Sequence, residues 1–385
     1  MSDVLSLTKR MVQVDSRLPV EGPLAQLVAD EIRGIGLEPV WQEVAPGRPN
    51  VYVLVKAGPK SGLVTFTGHL DTVDAAEGWE TDPLDPVERD GRLYGLGALD
   101  MKSGVACAFH AFRRLIQDRT LASRLGTLAF AATVDEEAFG TGSRALLETP
   151  LGKSDLMFLT ESFYGGPDAT DLVVPIAQPG KILYRVVVTG RTSHALLSPD
   201  RGINAVHDAA RIVAALDRLP LGSHRLIGPM NYSTLKIDGG YREYSVIVPE
   251  RCEIIITRLL APGETQVKAL EELRSLIAGL GLESTVTVEA APPSYEPFEL
   301  DPADPGVAAF EAAYRARLGA APRLGGALVI TDGNVYLGEG GIPTVTFGPR
   351  GAGFHEKNEY VEVATLEPVI DVLVDATVRY FDGRP

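Results

Sequence analysis

A chain of 385 residues exceeds the size of most single hydrophobic cores, so we expect two domains. The formal net charge of −15 argues against binding to nucleic acid or to an anionic membrane, and no apolar run approaches the roughly 20 residues of a membrane span. The N-terminus lacks a signal-peptide core. Cys107 and Cys252 are expected to be buried and reduced, as is usual in a cytoplasmic protein.

The N-terminal part of the chain alternates between predicted helices and predicted strands. Helices are predicted over residues 5–14, 23–35, 104–116 and 143–148, and strands over residues 38–44, 51–55, 63–67, 127–134 and 156–159. This alternation is typical of an α/β domain with a mostly parallel sheet, whose ligands bind at the carboxyl ends of the strands. Four polar residues follow predicted strands in this way: His69, Glu136, Glu137 and Glu161.

Two proline-containing breaks, at residues 178–180 and 291–293, enclose a different pattern. Between them we predict strand 182–188, helix 203–219, strand 232–237, strand 244–260 interrupted at Pro249, helix 264–280 and strand 284–289. The order βαββαβ is the split-βαβ pattern. The first pattern then resumes with helix 306–318, strand 344–347 and helix 366–380. We therefore predict a discontinuous catalytic domain, residues 1–178 and 292–385, into which an α+β domain, residues 179–291, is inserted.

The segment Gly68-His69-Leu70-Asp71-Thr72-Val73 ends the strand predicted over residues 63–67. Side chains on a strand alternate between its faces, so His69 and Asp71 are expected to point the same way. This pair suits a metal site, because the imidazole binds the metal while the carboxylate accepts a hydrogen bond from the other ring nitrogen. The triplet by itself is more often part of a surface turn.

Asp100 follows a glycine-rich element, Gly95-x-Gly97, at the start of a predicted helix. The element is similar to a dinucleotide fingerprint, but Asp100 occupies the position of the third glycine and would repel a pyrophosphate. A nucleotide site is therefore disfavoured, and a carboxylate that binds a metal suits this position better.

Acidic residues and histidines recur in other predicted turns. Asp135-Glu136-Glu137 places three carboxylates at a strand end, where their repulsion raises pKa values unless cations are near, although a solvated turn explains this cluster equally well. His69 and His194 follow predicted strands, and His355 lies in a polar, glycine-rich loop where packing gives it no obvious task. Histidine and carboxylate ligands without cysteine suit catalytic Zn, Mn or Co, and two such ions about 3.5–4 Å apart can share a water and a carboxylate.

Five motifs occur in order along the chain: Gly68-His69-x-Asp71-Thr72-Val73; Gly95-x-Gly97-x-x-Asp100-Met101-Lys102-x-Gly104; Asp135-Glu136-Glu137; Ser193-His194-Ala195 with Pro199, Gly202, Asn204 and Ala205; and His355 with Asn358-Glu359. In this order they resemble the dinuclear zinc amidohydrolases and exopeptidases, which include acetylornithine deacetylase, succinyl-diaminopimelate desuccinylase, aminoacylase and glutamate carboxypeptidase. The resemblance covers essentially the whole chain, including the inserted domain.

The resemblance implies a role for each of these residues. One metal ion would be held by His69, Asp100 and Glu161, and a second by Asp100, Glu137 and His355, so that Asp100 bridges the two ions. The ions would be Zn, with Co or Mn as alternatives. Asp71 would orient His69, and Glu136 would be the general base. Arg258 would bind the substrate carboxylate. The inserted domain would act as a lid and carry the contact of a homodimer, in which His194 serves the active site of the other subunit.

The function that follows is metal-dependent hydrolysis of the amide bond of an N-acyl amino acid. A dipeptidase or carboxypeptidase of the same family is the alternative, and a non-catalytic metal-binding protein is disfavoured because it would need no base at Glu136. One residue departs from the pattern. Asn334 stands where the desuccinylase-like members carry an arginine, which argues against a succinylated dicarboxylic substrate without selecting another.

Overall fold

A computed structural model of the chain describes residues 3–162, 173–198, 200–241, 243 and 245–385. The chain forms two compact units. Unit 1 comprises Met1–Ile176, Glu299–Ala327 and Thr331–Pro385, and unit 2 comprises Ala177–Phe298 and Leu328–Ile330. The predicted inserted domain, residues 179–291, lies within unit 2.

The elements before residue 179 belong mainly to unit 1. The helices are α1 Asp3–Val12, α2 Gly22–Gly34, α3 Ser103–Gln117 and α4 Thr141–Leu147. The strands are β1 Val40–Ala45, β2 Arg48–Lys56, β3 Leu63–His69, β4 Val87–Arg89, β5 Arg92–Tyr94, β6 Thr127–Thr133, β7 Leu156–Leu159 and β8 Val173–Gln178.

The remaining elements complete both units. Unit 2 contains the helices α5 Ala205–Ala215 and α6 Gln266–Ala278, and the strands β9 Gly180–Thr189, β10 Ser223–His224, β11 Gly228–Pro229, β12 Tyr232–Gly239, β13 Arg251–Leu260 and β14 Thr285–Tyr295. The C-terminal part of the chain adds β15 Phe298–Glu299, α7 Pro305–Leu318, β16 Arg323–Gly326, β17 Thr344–Thr346, β18 Gly351–Ala352, β19 Tyr360–Glu362 and α8 Leu366–Asp382.

The central sheet of unit 1 has the strand order β1-β2-β6-β3-β7-β17. The β6–β3, β3–β7 and β7–β17 pairs are parallel, whereas β1–β2 and β2–β6 are antiparallel. The predicted α/β class with a mostly parallel sheet is therefore confirmed. The strands β3, β6 and β7 are buried along nearly their whole length and rich in apolar residues, because both faces of the central sheet are covered here. Helix α3 packs on β3 and β6, with the ring of Phe109 edge-on to Phe130 at 5.5 Å.

Unit 2 is built on a four-stranded antiparallel sheet of order β12-β13-β9-β14. Alternate residues of β9 and β13 are buried; α5 packs on both of these strands, and α6 packs on β9 and β14. The predicted strand 244–260 begins only at Arg251, and its first predicted residue, Tyr244, lies outside the described residues. In the described part of the chain, no helix has both the length and the apolar character needed to cross a bilayer.

Three small sheets were not predicted from the sequence. Their strand orders are β18-β19-β5-β4, β15-β8-β16 and β10-β11. Most of their strands are only two to four residues long, too short to show a hydrophobic period.

Candidate metal centre

The carboxyl ends of β3 and β7 lie at one edge of the central sheet of unit 1. His69, the last residue of β3, is paired with Thr133 of β6 in the parallel register. Its Nε2 atom lies 3.1 Å from Oδ1 of Asp100 and 3.4 Å from Oε2 of Glu161, which follows β7. The structure thus brings the first predicted ligand set together.

The second predicted set meets at the other oxygen of the same aspartate. Nε2 of His355 lies 3.2 Å from Oδ2 of Asp100 and 3.0 Å from Oε1 of Glu137. Asp100 therefore presents one carboxylate oxygen to each histidine. His355 has a φ of 62°, a left-handed conformation that is uncommon for residues other than glycine and that occurs at functional sites.

The donor atoms of both sets fit divalent metal ions. Each set offers one imidazole nitrogen and two carboxylate oxygens. Within each set, these three atoms lie within 4.8 Å of one another. This donor chemistry suits Zn, Mn or Co, and a carboxylate shared by the two sets can bridge two ions. Glu136 lies beside these two sets, with Oε2 3.9 Å from Nε2 of His69, and it forms a third possible ligand group with His69 and Glu137.

Asp71 supports the site differently from the sequence prediction, which assigned its carboxylate to His69. The main-chain carbonyl of Asp71 lies 3.0 Å from Nδ1 of His69, whereas the nearer carboxylate oxygen is 3.7 Å away. A carbonyl can only accept, so Nδ1 carries a proton, and Nε2, which faces Asp100, is the nitrogen that can bind a metal. The carboxylate instead accepts the N–H of Glu137 at 2.8 Å. Asp71 thereby positions one residue of each ligand set, through different atoms.

The pKa values of the cluster reflect burial and mutual charge. Burial raises the pKa of Glu136 well above its usual range, and burial together with the charge of Asp100 raises the pKa of Glu161 to about 7. Burial acts to raise the pKa of Asp100 as well, but hydrogen bonds with His355 and His69 hold it below its usual range. Hydrogen bonds with Asp100 and Glu137 raise the pKa of His355 to about 10. The group therefore combines an imidazole of raised pKa with carboxylates whose negative charge divalent ions would stabilise.

The first residue of the acidic triplet has a structural role. Asp135 accepts a hydrogen bond from Arg48 at 2.8 Å and another from the hydroxyl of Thr141 at 2.6 Å. Arg48 is paired in turn with the buried Glu21. These contacts anchor the turn after β6, and the next two residues, Glu136 and Glu137, lie at the site. Nothing in the sequence near Asp135 predicted its contact with Arg48, which is 87 positions away.

A model of peptidase family M20/M25/M40 matches residues 65–379 of this chain. The chain belongs to that family. The matched region includes every residue of both ligand sets. It also includes both segments of unit 2, Ala177–Phe298 and Leu328–Ile330. As an M20 family member, the chain is a metal-dependent hydrolase that acts on amide or peptide bonds, as the sequence analysis predicted.

Individual relatives of this M20 family chain bear different names. A succinyl-diaminopimelate desuccinylase of Methylorubrum extorquens is 28% identical over 388 residues, which cover 98% of each protein. Among solved structures, aminopeptidase PepT from Bacillus cereus matches with a TM-score of 0.77 and 23% identity, over 98% of each chain. An M20 family metallo-carboxypeptidase from Sulfolobus solfataricus matches with a TM-score of 0.78 and 15% identity, over 99% of this chain and 100% of that one. Both structural matches establish the M20 fold.

His194 lies in unit 2, whereas all the candidate ligands lie in unit 1. Its Nδ1 accepts the N–H of Leu196 at 3.3 Å, and its main chain forms an isolated bridge with Ile247. Its predicted role in the active site of a second subunit stays a prediction. Pro199, from the same motif, lies outside the described residues.

The surroundings of Arg258 argue against its predicted role in substrate binding. Its side chain is fully buried, with Nη1 2.7 Å from Glu272 and Nη2 2.9 Å from Glu264. Nη2 also donates to the carbonyl of Pro220 at 2.9 Å. Arg258 occupies an inward-facing position in the alternation of β13, so its guanidinium is enclosed with two carboxylates of its own unit.

Asn334 is the residue at which this chain departs from the desuccinylase-like pattern. Its side chain is buried, and its Oδ1 accepts the N–H of Thr331 at 3.0 Å, closing the turn Thr331-Asp332-Gly333-Asn334. The neighbouring Asp332 is also buried and accepts a hydrogen bond from Thr133 at 3.1 Å. In this turn Asn334 serves the local backbone and places no cation near the candidate ligands.

Proposed function

We propose that the chain is a deacylase that hydrolyses the amide bond of an N-acyl amino acid with two divalent ions, Zn by preference and Co or Mn as alternatives. The observation that carries this proposal is the position of Asp100 between the two histidines, with one carboxylate oxygen toward each. The flanking carboxylates Glu161 and Glu137 complete two ligand sets of equal composition.

In this proposal the residues around the ligands move protons and orient groups. Bound ions would supply Lewis-acid polarisation of the amide carbonyl and acidify the attacking water. Glu136 takes the proton of the water and returns it to the leaving amine. Its carboxylate lies beside His69 and belongs to neither of the two sets that share Asp100. His194 of a second subunit stabilises the developing oxyanion.

The preference for an acyl group over a peptide rests on the relatives. Several curated relatives, at 26–28% identity and over 95–98% of this chain, bear the name succinyl-diaminopimelate desuccinylase. Asn334 offers no positive charge for a second carboxylate of the acyl group. We therefore propose that the acyl group on the amino acid is short and has no free carboxylate of its own, as in acetyl.

A homodimer completes the proposal. In unit 2, β12 is an edge strand, and it exposes Leu235 and Ile237 by 58% and 51%. Leu196, next to His194, is 87% exposed, and Ile247, which bridges to His194, is 43% exposed. An exposed edge strand with apolar side chains favours pairing with another chain. These exposed apolar side chains support a contact with a second copy through unit 2.

The location we propose is the cytoplasm. It is supported by Cys107 and Cys252, which are both buried and unpaired. Free thiols persist where the compartment is reducing.

A substrate panel tests the proposed activity. N-acetyl, N-formyl and N-succinyl amino acids and dipeptides are assayed with the purified chain after addition of Zn, Co or Mn. The proposal expects the highest kcat/KM for an N-acetyl or N-formyl amino acid. A higher value for dipeptides would identify an exopeptidase, and a preference for N-succinyl substrates would show that a second carboxylate is recognised without the arginine. No turnover of any amide, despite two bound ions, would refute both enzymatic functions.

A further inference from the structure

Glu359 is a buried carboxylate that contacts no candidate ligand side chain within hydrogen-bond distance, yet it is bonded to the loop that carries Asp100. Its side chain accepts three main-chain N–H groups: that of Gly97 at 2.9 Å, that of Leu99 at 2.7 Å and that of Asp100 at 2.9 Å. Glu359 itself is only 2% exposed. The contacts span about 260 positions of sequence, since Leu99 and Glu359 are separated by 260.

These three bonds fix the backbone on which the shared ligand is mounted. Gly97 and Leu99 are buried, so their N–H groups would have no water to replace Glu359 as an acceptor. Burial and the charge of Asp100 raise the pKa of Glu359 to about 8, whereas the three N–H groups favour the ionised carboxylate, because both of its oxygens accept from them. The ammonium group of Lys102, also buried, adds a favourable interaction with the ionised form.

We propose that Glu359 is a positioning residue that sets the place of Asp100 and therefore controls the affinity of both metal sites together. The proposal rests on the metal centre proposed above. Glu359 also lies four positions after His355, so the segment 355–359 supplies one ligand directly and fixes the shared ligand through the backbone. His355 belongs to only one of the sets, whereas Asp100 belongs to both.

This difference gives the role of Glu359 a signature that a general loss of stability would not produce. Glu359→Gln keeps the shape of the side chain, but its amide nitrogen cannot accept a hydrogen bond and would face an N–H group. We expect both metal ions to bind about 10–100-fold more weakly, which is the usual cost of losing a residue that orients a ligand. His355→Ala is expected to weaken the binding of one ion strongly and the binding of the other ion only slightly.

Metal binding is measured directly, without turnover. The parent, Glu359→Gln and His355→Ala are titrated with Co(II) by visible absorption and by competition with a chelator, and magnetic coupling between the two Co(II) ions reports the bridging carboxylate. Asp155→Asn is the matched control. Asp155 accepts the N–H of Leu63 at 2.8 Å and pairs with Arg384, at the opposite end of β3 from His69. The Asp155→Asn substitution is expected to lower the midpoint temperature of thermal unfolding without changing the affinity for either Co(II) ion.

The outcomes separate this proposal from the one on which it rests. If the parent does not bind two ions, the proposed metal centre is refuted, and the proposed role of Glu359 is refuted with it. If the parent binds two ions and folded Glu359→Gln binds both with parental affinity and unchanged coupling, only the role of Glu359 is overturned. Should Glu359→Gln not fold, Glu359→Asp, too short to keep all three bonds, is measured in the same way, and parental affinities overturn the proposal. If neither variant folds, Glu359 is required for the fold, and a specific positioning role is rejected.

Discussion

The main chain of Asp71, and not its carboxylate, lies within hydrogen-bond distance of His69, with its carbonyl oxygen 3.0 Å from Nδ1. Substitution of the side chain therefore leaves the tautomer of His69 in place. The carboxylate serves Glu137, whose N–H it accepts at 2.8 Å.

We accordingly expect Asp71→Asn to keep both metal ions, because its amide oxygen can still accept the N–H of Glu137. Asp71→Ala removes that acceptor and should weaken the binding of the ion held by Glu137 and His355 about 10–100-fold. Metal content after dialysis against a chelator series measures the difference. Equal losses in Asn and Ala variants would show that the negative charge of Asp71, and not its hydrogen bond, matters.

Glu136→Gln is expected to lower kcat by about 10²–10⁴-fold, the usual contribution of a general base, while metal content stays at the parental value. The amide has the shape of the carboxylate but cannot take a proton. Stopped assays and elemental analysis of the same preparation provide the two readouts. A variant that retained most of the parental activity would require another base.

Metal binding should release protons near pH 7. Hydrogen bonds with Asp100 and Glu137 raise the pKa of His355 to about 10, so its imidazole is protonated at neutral pH and must lose a proton to bind a metal. Apparent affinity should therefore increase as pH rises from 6 to 8, by about tenfold per pH unit for each proton released. Calorimetry of Zn binding in buffers of different ionisation enthalpy counts the protons. A binding heat independent of the buffer would contradict this expectation.

Arg258→Ala should destabilise unit 2 by about 3–5 kcal/mol, because Glu264 and Glu272 would lose their shared buried partner. Any loss of activity should be the same for substrates with a free carboxylate and for their amides. The matched control is Arg185→Ala, which breaks a more exposed pair with Glu253 in the same unit and should cost less than about 1 kcal/mol. Denaturant titration measures both. A KM that rises only for carboxylate substrates would restore the role predicted from the sequence.

His194 is expected to act in the second subunit of a dimer. Glu136→Ala and His194→Ala, each inactive, are unfolded together and refolded so that subunits mix. Random pairing makes about half of the dimers mixed, and each mixed dimer has one site without a defect, so roughly a quarter of parental activity should return. If mixing is confirmed by a size tag and no activity returns, His194 acts within its own subunit or not at all.

The local pattern of the chain was sufficient to predict the sheet edge and the polar residues that follow its strands, whereas the ligand roles of these residues came from the resemblance. Apolar runs predicted β3, β6 and β7, and strands that run parallel in one sheet bring the residues after their carboxyl ends to the same edge. His69, Glu137 and Glu161 follow from that geometry. Asp100 and His355 were assigned through the resemblance, since neither follows a predicted strand, and the structure brings both to the cluster.

Only the tertiary structure determined which distant residues form ion pairs and hydrogen bonds with one another. The sequence shows Arg258 near the end of a strand, but only folding brings Glu264 and Glu272 to its guanidinium. Likewise, Glu359 stands in a motif without an evident task, and its three N–H partners lie about 260 positions earlier in the chain. The physical reason is the short range of a hydrogen bond. A periodic pattern extends over several residues and determines an element, whereas a contact of about 3 Å depends on where distant elements place two atoms.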